Sequence, residues 1–488
     1  MRWFLTLGGF FIASLLPFLS FSQEIDTLEF EISEDVVLQA TRLSLPQQQS
    51  AMSVSVLDEA RLRQGQQQLS LNESLDFVPG LFAQNANNFS QDLRVSIRGF
   101  GARSAFGIRG IRVMVDGLPE STPDGQAQVD NIDLGILDRA EVIRGPASSL
   151  YGNAAGGVIS LRTSSIPDEF GLEARLSAGS NGFQRYQLKV GETKYKKDGG
   201  GPEWGYVLYG SHTRLSGYRA NSEVENSFFN AKISYLADSS SELTFLFNYF
   251  NSPVSQDAGG LTLDEATDMR EQARDRNVSF QSGETVQQSR AGITWKKTVG
   301  TQHLFQARTY VLFRDFANAL PFGNGGIVDL DRTYTGLGLS YTFNADLGAN
   351  PYRFQVGFDL DQQVDDRLRF NNESGERGDM TLNQEERFRT IGAYVMQDLK
   401  VNAWRFHIGT RFDAVKLEAN DRFGVDGNQS GDLSFNRFSP MAGASLMLGT
   451  SHSVYAQVST SFETPTLSEL STNPTGEGGF NEELDPQR

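Results

Sequence analysis

Cysteine is absent from the 488 residues, which excludes disulfides, thiolate metal sites and a lipid-anchored cysteine. Histidine occurs four times, at His212, His303, His407 and His452, and none of these forms a metal-ligand spacing. After the N-terminal run from Trp3 to Phe21, no stretch approaches the roughly 18 apolar residues of a membrane helix. Basic charge is scarce as well: 43 lysines and arginines face 60 acidic residues, for a net charge of −17. With no basic stripe and no interleaved aromatics, nucleic acid is not an expected partner. Catalytic signatures are missing too. Gly99-Phe100-Gly101-Ala102-Arg103-Ser104 fails the dinucleotide fingerprint at its last glycine, and there is no Gly-x-Ser-x-Gly elbow, phosphate-binding loop or His-Glu-x-x-His. The expectation is a protein that is not an enzyme and holds no cofactor or metal of its own.

What is present begins with Arg2, the apolar run and the small residues of Ser20-Phe21-Ser22, which read as a secretory signal peptide over 1–22. Residues 23–50 form a polar, glutamine-rich leader with one apolar patch, Asp35-Val36-Val37-Leu38-Gln39-Ala40. From 51 to 165 short apolar strands alternate with glycine turns. Ser53–Leu57 reads as a strand and Asp58 as a helix cap. Ser70 and Glu73 match a capping box, Leu71, Leu75 and Val78 share one helical face, and Pro79-Gly80 stops that helix. Then come Ile97-Arg98-Gly99-Phe100-Gly101, Val115-Asp116-Gly117-Leu118-Pro119, Val142-Ile143-Arg144-Gly145-Pro146 and Leu150-Tyr151-Gly152, ending in Gly156-Gly157-Val158-Ile159. Such turns describe a compact α+β domain.

From 168 to 488 the period changes to two. Tyr352, Phe354, Val356, Phe358 and Leu360 alternate with Arg353, Gln355, Gly357, Asp359 and Asp361, and similar runs surround Phe245 and Phe406. A soluble sandwich alternates in the same way, and connection lengths separate the two readings. Short turns near 196–202, 237–241, 299–301, 348–351, 401–402 and 449–451 are interleaved with long polar segments at 215–223, 252–277, 317–329, 365–385 and 419–432. That is the rule of a transmembrane β-barrel, whose alternate residues face lipid even though the mean hydropathy is only −0.36. About 13 antiparallel strands are expected, against about 22 in plugged outer-membrane transporters. The barrel is therefore expected to be a C-terminally truncated piece, lacking roughly nine strands.

The ordered run from Val115-Asp116-Gly117-Leu118-Pro119 through Gly125-Gln126, Asn131-Ile132-Asp133-Leu134 and Arg144-Gly145-Pro146 to Leu150-Tyr151-Gly152-Asn153-Ala154-Ala155-Gly156-Gly157 resembles the plug domain of TonB-dependent outer-membrane receptors. Phe462-Glu463-Thr464-Pro465 and Asn481-Glu482-Glu483-Leu484-Asp485-Pro486 resemble an external loop of their barrels. The resemblance is closest to iron-complex receptors. It implies an all-β membrane protein with an N-terminal α+β plug in the lumen, in the outer membrane of a Gram-negative bacterium. It also implies energy from TonB and its inner-membrane complex, outer-membrane lipid as surroundings, a monomer, and a ferric siderophore or related chelate as cargo. Cobalamin, copper or a small glycan are the alternatives. Haem ranks lower, since no histidine lies in the 462–485 loop.

By position, the resemblance places the TonB box at Asp35, Val36, Val37, Leu38, Gln39 and Ala40, whose β-prone core suits strand addition. Asp26-Thr27-Leu28 is a second candidate, and Val36–Leu38 as a first plug strand is the plainer reading. With so short a leader, neither a signalling domain nor a carboxypeptidase-like extension is expected. Plug-loop candidates for the ligand are Asn87, Asn88, Arg103 and Gln126, with the Arg103 fork suited to an anionic chelate. Arg98 and Arg144 stand where the family docks its plug on barrel carboxylates.

Overall fold

A computed structural model describes residues 37–84, 88–104, 107–196, 201–449, 452–470, 481 and 483–487. The expected signal peptide, Asp26-Thr27-Leu28, Asp35, Val36 and Asn87 lie outside the described residues. In the N-terminal part, β1 (Val37–Leu38) pairs with β2 (Leu45–Pro46), and β3 (Ser53–Asp58) leads into helices α1 (Glu59–Arg63) and α2 (Asn72–Leu75). There follow β4 (Leu81–Gln84), β5 (Arg94–Ile97), β6 (Ile108–Arg109), β7 (Ile111–Val115), β8 (Leu118–Pro119), β9 (Gln126–Ala127), β10 (Leu137–Arg144), α3 (Ser148–Tyr151) and β11 (Gly157–Thr163). Five of these strands make the central sheet, in the order β3-β10-β11-β7-β8.

Its inner strands β7, β10 and β11 are largely buried on both faces, as their continuous apolar runs require. Val113, Val142 and Ile159 pack with Leu57, Leu62, Leu75 and Ile97 in one core, while Met114, Ile143 and Val158 pack on the other side against Leu150, Tyr151 and the wall residues Tyr394, Met396 and Met441. Asp58 caps α1, accepting from the Arg61 amide at 2.9 Å. Only the acidic half of the expected capping box forms: the Glu73 carboxylate accepts from the amides of Gln68, Leu69 and Ser70.

The wall is one 13-stranded antiparallel sheet, matching the expected count. It runs β12 (Gly171–Ala178), β13 (Gln184–Tyr195), β14 (Pro202–Leu215), β15 (Val224–Asp238) and β16 (Ser241–Gln256). After a long connection carrying α4 (Leu263–Met269) and α5 (Asp275–Ser279) come β17 (Gly283–Val299), β18 (His303–Ala319), β19 (Ile327–Leu347) and β20 (Asn350–Glu373). The sheet finishes with β21 (Glu376–Val401), β22 (Trp404–Asp421), β23 (Gly431–Leu448) and β24 (His452–Ser459), and its order ends at β12 on one side and β24 on the other. Leu188, Phe245, Ile293, Leu339, Val356 and Ile408 are exposed on its outer surface, an apolar band suited to lipid. No helix of the described residues is long and apolar enough to cross a membrane, which says nothing of strands.

One expected loop is not a loop. Residues 365–385 continue β20 and β21 to a tight turn at Ser374-Gly375. Their polarity on both faces reads as a loop in sequence. In space, Asp365 pairs inward with Arg332 at 2.7 Å, and Asp366 pairs with Arg422 at 2.9 Å. The Asp365-Asp366 pair is therefore part of a strand and held by arginines.

Candidate functional site: the plug against the wall

The leader enters at the end of the wall that carries the short turns, and it is tied down. The Glu141 carboxylate of β10 accepts from the amides of Gln39 and Ala40, each at 2.8 Å, and Arg139 donates to the Val37 carbonyl at 2.8 Å. Leu38 and Ala40 are buried, while Val37 is exposed. Val37 and Leu38 form a strand of their own two-stranded pair and take no part in the central plug sheet.

Two residues on, Arg42 adopts a left-handed backbone, with φ of 62°, that turns its side chain into the plug–wall seam. It donates to the Leu150 carbonyl at 2.7 Å, the Tyr394 hydroxyl at 2.9 Å and Asp359 at 2.7 Å, and its guanidinium lies over the rings of Tyr151 and Tyr394. Burial opposes its charge, but Asp359 and the two tyrosines outweigh burial and hold its pKa above the ordinary arginine value. Asp359 also receives Arg308 at 2.9 Å and Arg411 at 2.7 Å.

Around the seam the sign of the contacts reverses. Against β13 to β18 the plug supplies carboxylates: Asp133 meets Arg185, Asp116 meets Lys232 at 3.1 Å, Glu120 meets Arg290, and Asp130 meets Arg314 at 2.8 Å. Against β20 and beyond it supplies arginines: Arg42 to Asp359, and Arg112 to Asp361 at 3.4 Å. None of these docking residues was singled out in sequence. They sit among ordinary loop and strand charges, and only the register of the wall brings each to its partner.

At the opposite end, the segment after β24 turns inward over the plug. Phe462, Glu463, Thr464 and Thr466 are buried. Glu463 pairs with Arg103 at 2.7 Å and Arg109 at 3.2 Å, and Glu469 pairs with the same two arginines at 3.2 and 2.8 Å. Asn153 donates to the Thr464 hydroxyl at 2.7 Å, and Arg109 donates to the Thr464 carbonyl at 3.0 Å. What the sequence marks as an external loop is thus folded into the mouth of the lumen.

The expected ligand contacts fall in more than one neighbourhood. Arg103 already holds two carboxylates, although 48% of its side chain stays exposed. Gln126 lies beside Arg109, its register partner across β6 and β9. Asn88 belongs to a separate neighbourhood, donating to Asp257 of the long connection at 2.5 Å. Arg98 donates to the Ser53 hydroxyl at 3.2 Å and Arg144 to the Pro79 carbonyl at 2.6 Å. Neither pairs with a carboxylate among the described residues, and burial together with the Arg98 charge holds Arg144 below the usual arginine value. The histidines are spread out, His407 sitting 2.8 Å from Asp398 and His303 2.8 Å from the Tyr341 hydroxyl. Among the described residues no group of three or more metal-ligating side chains assembles.

Two family models match the chain: the TonB-dependent receptor plug domain over residues 46–158, and the TonB-dependent receptor-like β-barrel over residues 228–488. Among curated proteins, the vitamin B12 transporter BtuB of Vibrio vulnificus (strain CMCP6) is 31% identical over 173 residues, 35% of this chain and 27% of that protein. The ferrioxamine receptor of Yersinia enterocolitica is 32% identical over 149 residues, 30% and 20% of the two chains. The matches thus span about a quarter of these relatives' length or less. Among solved structures, the unliganded ferric citrate transporter FecA superposes with a TM-score of 0.75 at 22% identity, over 86% of this chain and 64% of that one. The siderophore receptor PiuA from Acinetobacter baumannii gives 0.74 at 15%, over 93% and 70%, and the copper transporter OprC gives 0.69 at 16%, over 90% and 68%. These likenesses establish the fold, a plug seated inside an antiparallel barrel. By its plug, its wall and both family matches, the chain belongs to the TonB-dependent receptors.

Proposed function

We propose that the whole receptor captures a scarce nutrient outside the cell and imports it across the outer membrane of a Gram-negative bacterium, with energy delivered by TonB through residues 35–40. The observation that carries this reading is the leader itself: Gln39 and Ala40 are bonded to Glu141 of the plug, and Arg42 to Asp359 of the wall. A pull on that segment therefore acts on both bodies at once. A passive pore or an adhesin needs neither a plug nor such an attachment.

A ferric siderophore or related iron chelate is the favoured cargo, supported by partial identity to a ferrioxamine receptor and by the fold shared with ferric-chelate receptors. Cobalamin is the second reading, supported by the 31% identity to BtuB. Arg103, Asn87, Asn88 and Gln126 are the proposed ligand contacts on the plug. Arg103 has to exchange Glu463 or Glu469 for an anionic ligand. Arg98 and Arg144 are the proposed docking pair for wall carboxylates beyond the described residues, supported by their adjacency without a counter-charge. Export by the signal peptide, a monomeric state and an absence of enzymatic activity complete the proposal.

The test is radioiron uptake from a panel of ferric chelates in a receptor-deficient Gram-negative host, with and without residues 35–40. Uptake of one chelate that vanishes with the deletion supports coupling and cargo together. Uptake that survives the deletion refutes the coupling. No iron uptake despite a folded surface-exposed receptor refutes the iron cargo and turns the search to cobalamin.

A further inference from the structure

Parts of the plug–wall seam are tight. Two cavities lined by residues of β12 to β17 have volumes of about 20 Å³ each, room for about one water. At the short-turn end, between β11 and the inner face of β16 to β20, the seam instead opens into a cavity of about 560 Å³, the size of a small-molecule site. One side of it is the leader, through Gln39, Arg42, Leu43 and Ser44. The other is the wall near its short turns, including Thr294, Lys296, Ser340 and Arg353.

The lining is cationic in an acidic chain. Six arginines and lysines border the cavity against four carboxylates, while the whole chain carries −17. Lys296 forms no ion pair among the described residues, and the described partner of Arg353 is the Ser44 carbonyl of the leader. Gln355, 2% exposed and bordering the same space, has a side-chain oxygen with no hydrogen-bond partner. A buried, unpaired acceptor beside surplus cations fits a polar occupant bearing both negative charge and donor groups.

We propose that this cavity is an exit vestibule, the place where an anionic, hydroxyl-bearing cargo leaves the seam along β16 to β20, with residues 39–44 as its removable wall. The proposal rests on the transport reading above and adds the route and the charge class. The same contacts that fix the leader close the vestibule: Glu141 to Gln39 and Ala40, Asp359 to Arg42, and Arg353 to Ser44. Withdrawal of the leader removes one wall of the space and frees the Arg353 donors toward the departing cargo. On the β13 to β15 side, Arg185–Asp133 and Lys232–Asp116 keep the plug clamped, which gives the opening its direction.

Two measurements test it, and the first needs no identified ligand. The chain contains no cysteine, so Ser340→Cys in the purified full chain offers a single thiol facing the vestibule. Its modification by a negatively charged methanethiosulfonate is expected to exceed that by a positively charged one by about threefold or more, through local field focusing. Both rates are expected to rise when residues 39–44 are deleted. Equal rates, or a faster cationic reagent, overturn the charge class, and rates indifferent to the deletion overturn the removable wall.

The second measurement uses Ser340→Trp, which places an indole in the vestibule, and Leu337→Trp, which points outward to lipid, as its control. Whichever chelate of the panel the parent carries is expected to bind Ser340→Trp cells normally and to enter them at least about tenfold more slowly, by steric exclusion from a close-packed seam. Leu337→Trp is expected to import at the parental rate. Parental import by Ser340→Trp overturns the route. A parent that carries no chelate refutes the iron cargo instead, and the reagent rates still decide the cavity.

Discussion

Arg42 and Asp359, 317 residues apart in sequence, meet at 2.7 Å in the seam between plug and wall. Asp359 keeps Arg308 and Arg411 whether or not Arg42 is present, whereas the leader has no other side-chain attachment to this carboxylate. The loss of Arg42 therefore loosens the leader's hold on the wall, leaving its Glu141 bonds to the plug, without stranding a buried anion, which is the costly outcome when a buried pair is broken. Arg42→Ala is expected to mobilise a spin label at Val37→Cys and to tighten binding of the TonB C-terminal domain by about tenfold, as the competent state becomes populated. An unchanged label spectrum would falsify the role given to this arginine.

Glu463 anchors the inward segment to the plug. Its side chain is 5% exposed and pairs with Arg109, which is 8% exposed, so removing it leaves a buried guanidinium with Glu469 as its remaining carboxylate. Glu463→Ala is expected to cost about 1.5–2 kcal/mol of local stability, the loss of a charged hydrogen bond whose partner stays compensated. Amide exchange across 462–470 should accelerate while exchange in β10 and β11 stays slow. Uniform acceleration throughout the plug would instead mean that the inward segment is part of its core.

Asp92 lies near Asp130 and Glu284, with Arg314 and Arg332 as the nearby cations. Burial first, then Asp130, pushes its pKa up to about 7 against the two arginines and a Gln128 hydrogen bond. A carboxyl raised in the folded state contributes stability below its unfolded value near 3.8, and that contribution is lost as pH rises through about 7. Asp92→Asn is expected to raise Tm by about 2–4 °C at pH 8 and to change it little at pH 4. Equal shifts at both pH values would remove Asp92 as the titrating group.

Gly157 explains part of the glycine motif. Its φ is +139°, and an added Cβ would collide with the Ile143 carbonyl, which is backbone and cannot swing away. Gly157→Ala is expected to cost about 2–4 kcal/mol through strain and overpacking at the β10–β11 pair. Thermal unfolding of the variant checks this. A loss below about 0.5 kcal/mol, the range of neutral surface changes, would show that the sheet relaxes.

The sequence by itself determined the two-body plan: local glycine turns define the plug, and a period of two with unequal connections defines the wall. Both are short-range signals, set by φ and by alternate residues facing opposite sides of a strand. It also pointed to the leader, Arg103 and the segment from Phe462, though not to the contacts that Glu463 and Glu469 make with Arg103. Residues 365–385 misled, because a strand that rises beyond the apolar band is polar on both faces and loses its period. Tertiary structure alone decided how the plug is docked. Asp116, Glu120, Asp130 and Asp133 look like any turn acids until the wall's register sets Lys232, Arg290, Arg314 and Arg185 opposite them. Contacts between residues 52 to 184 positions apart leave no local pattern, since each partner is chosen by strand stagger rather than by its neighbours in the chain.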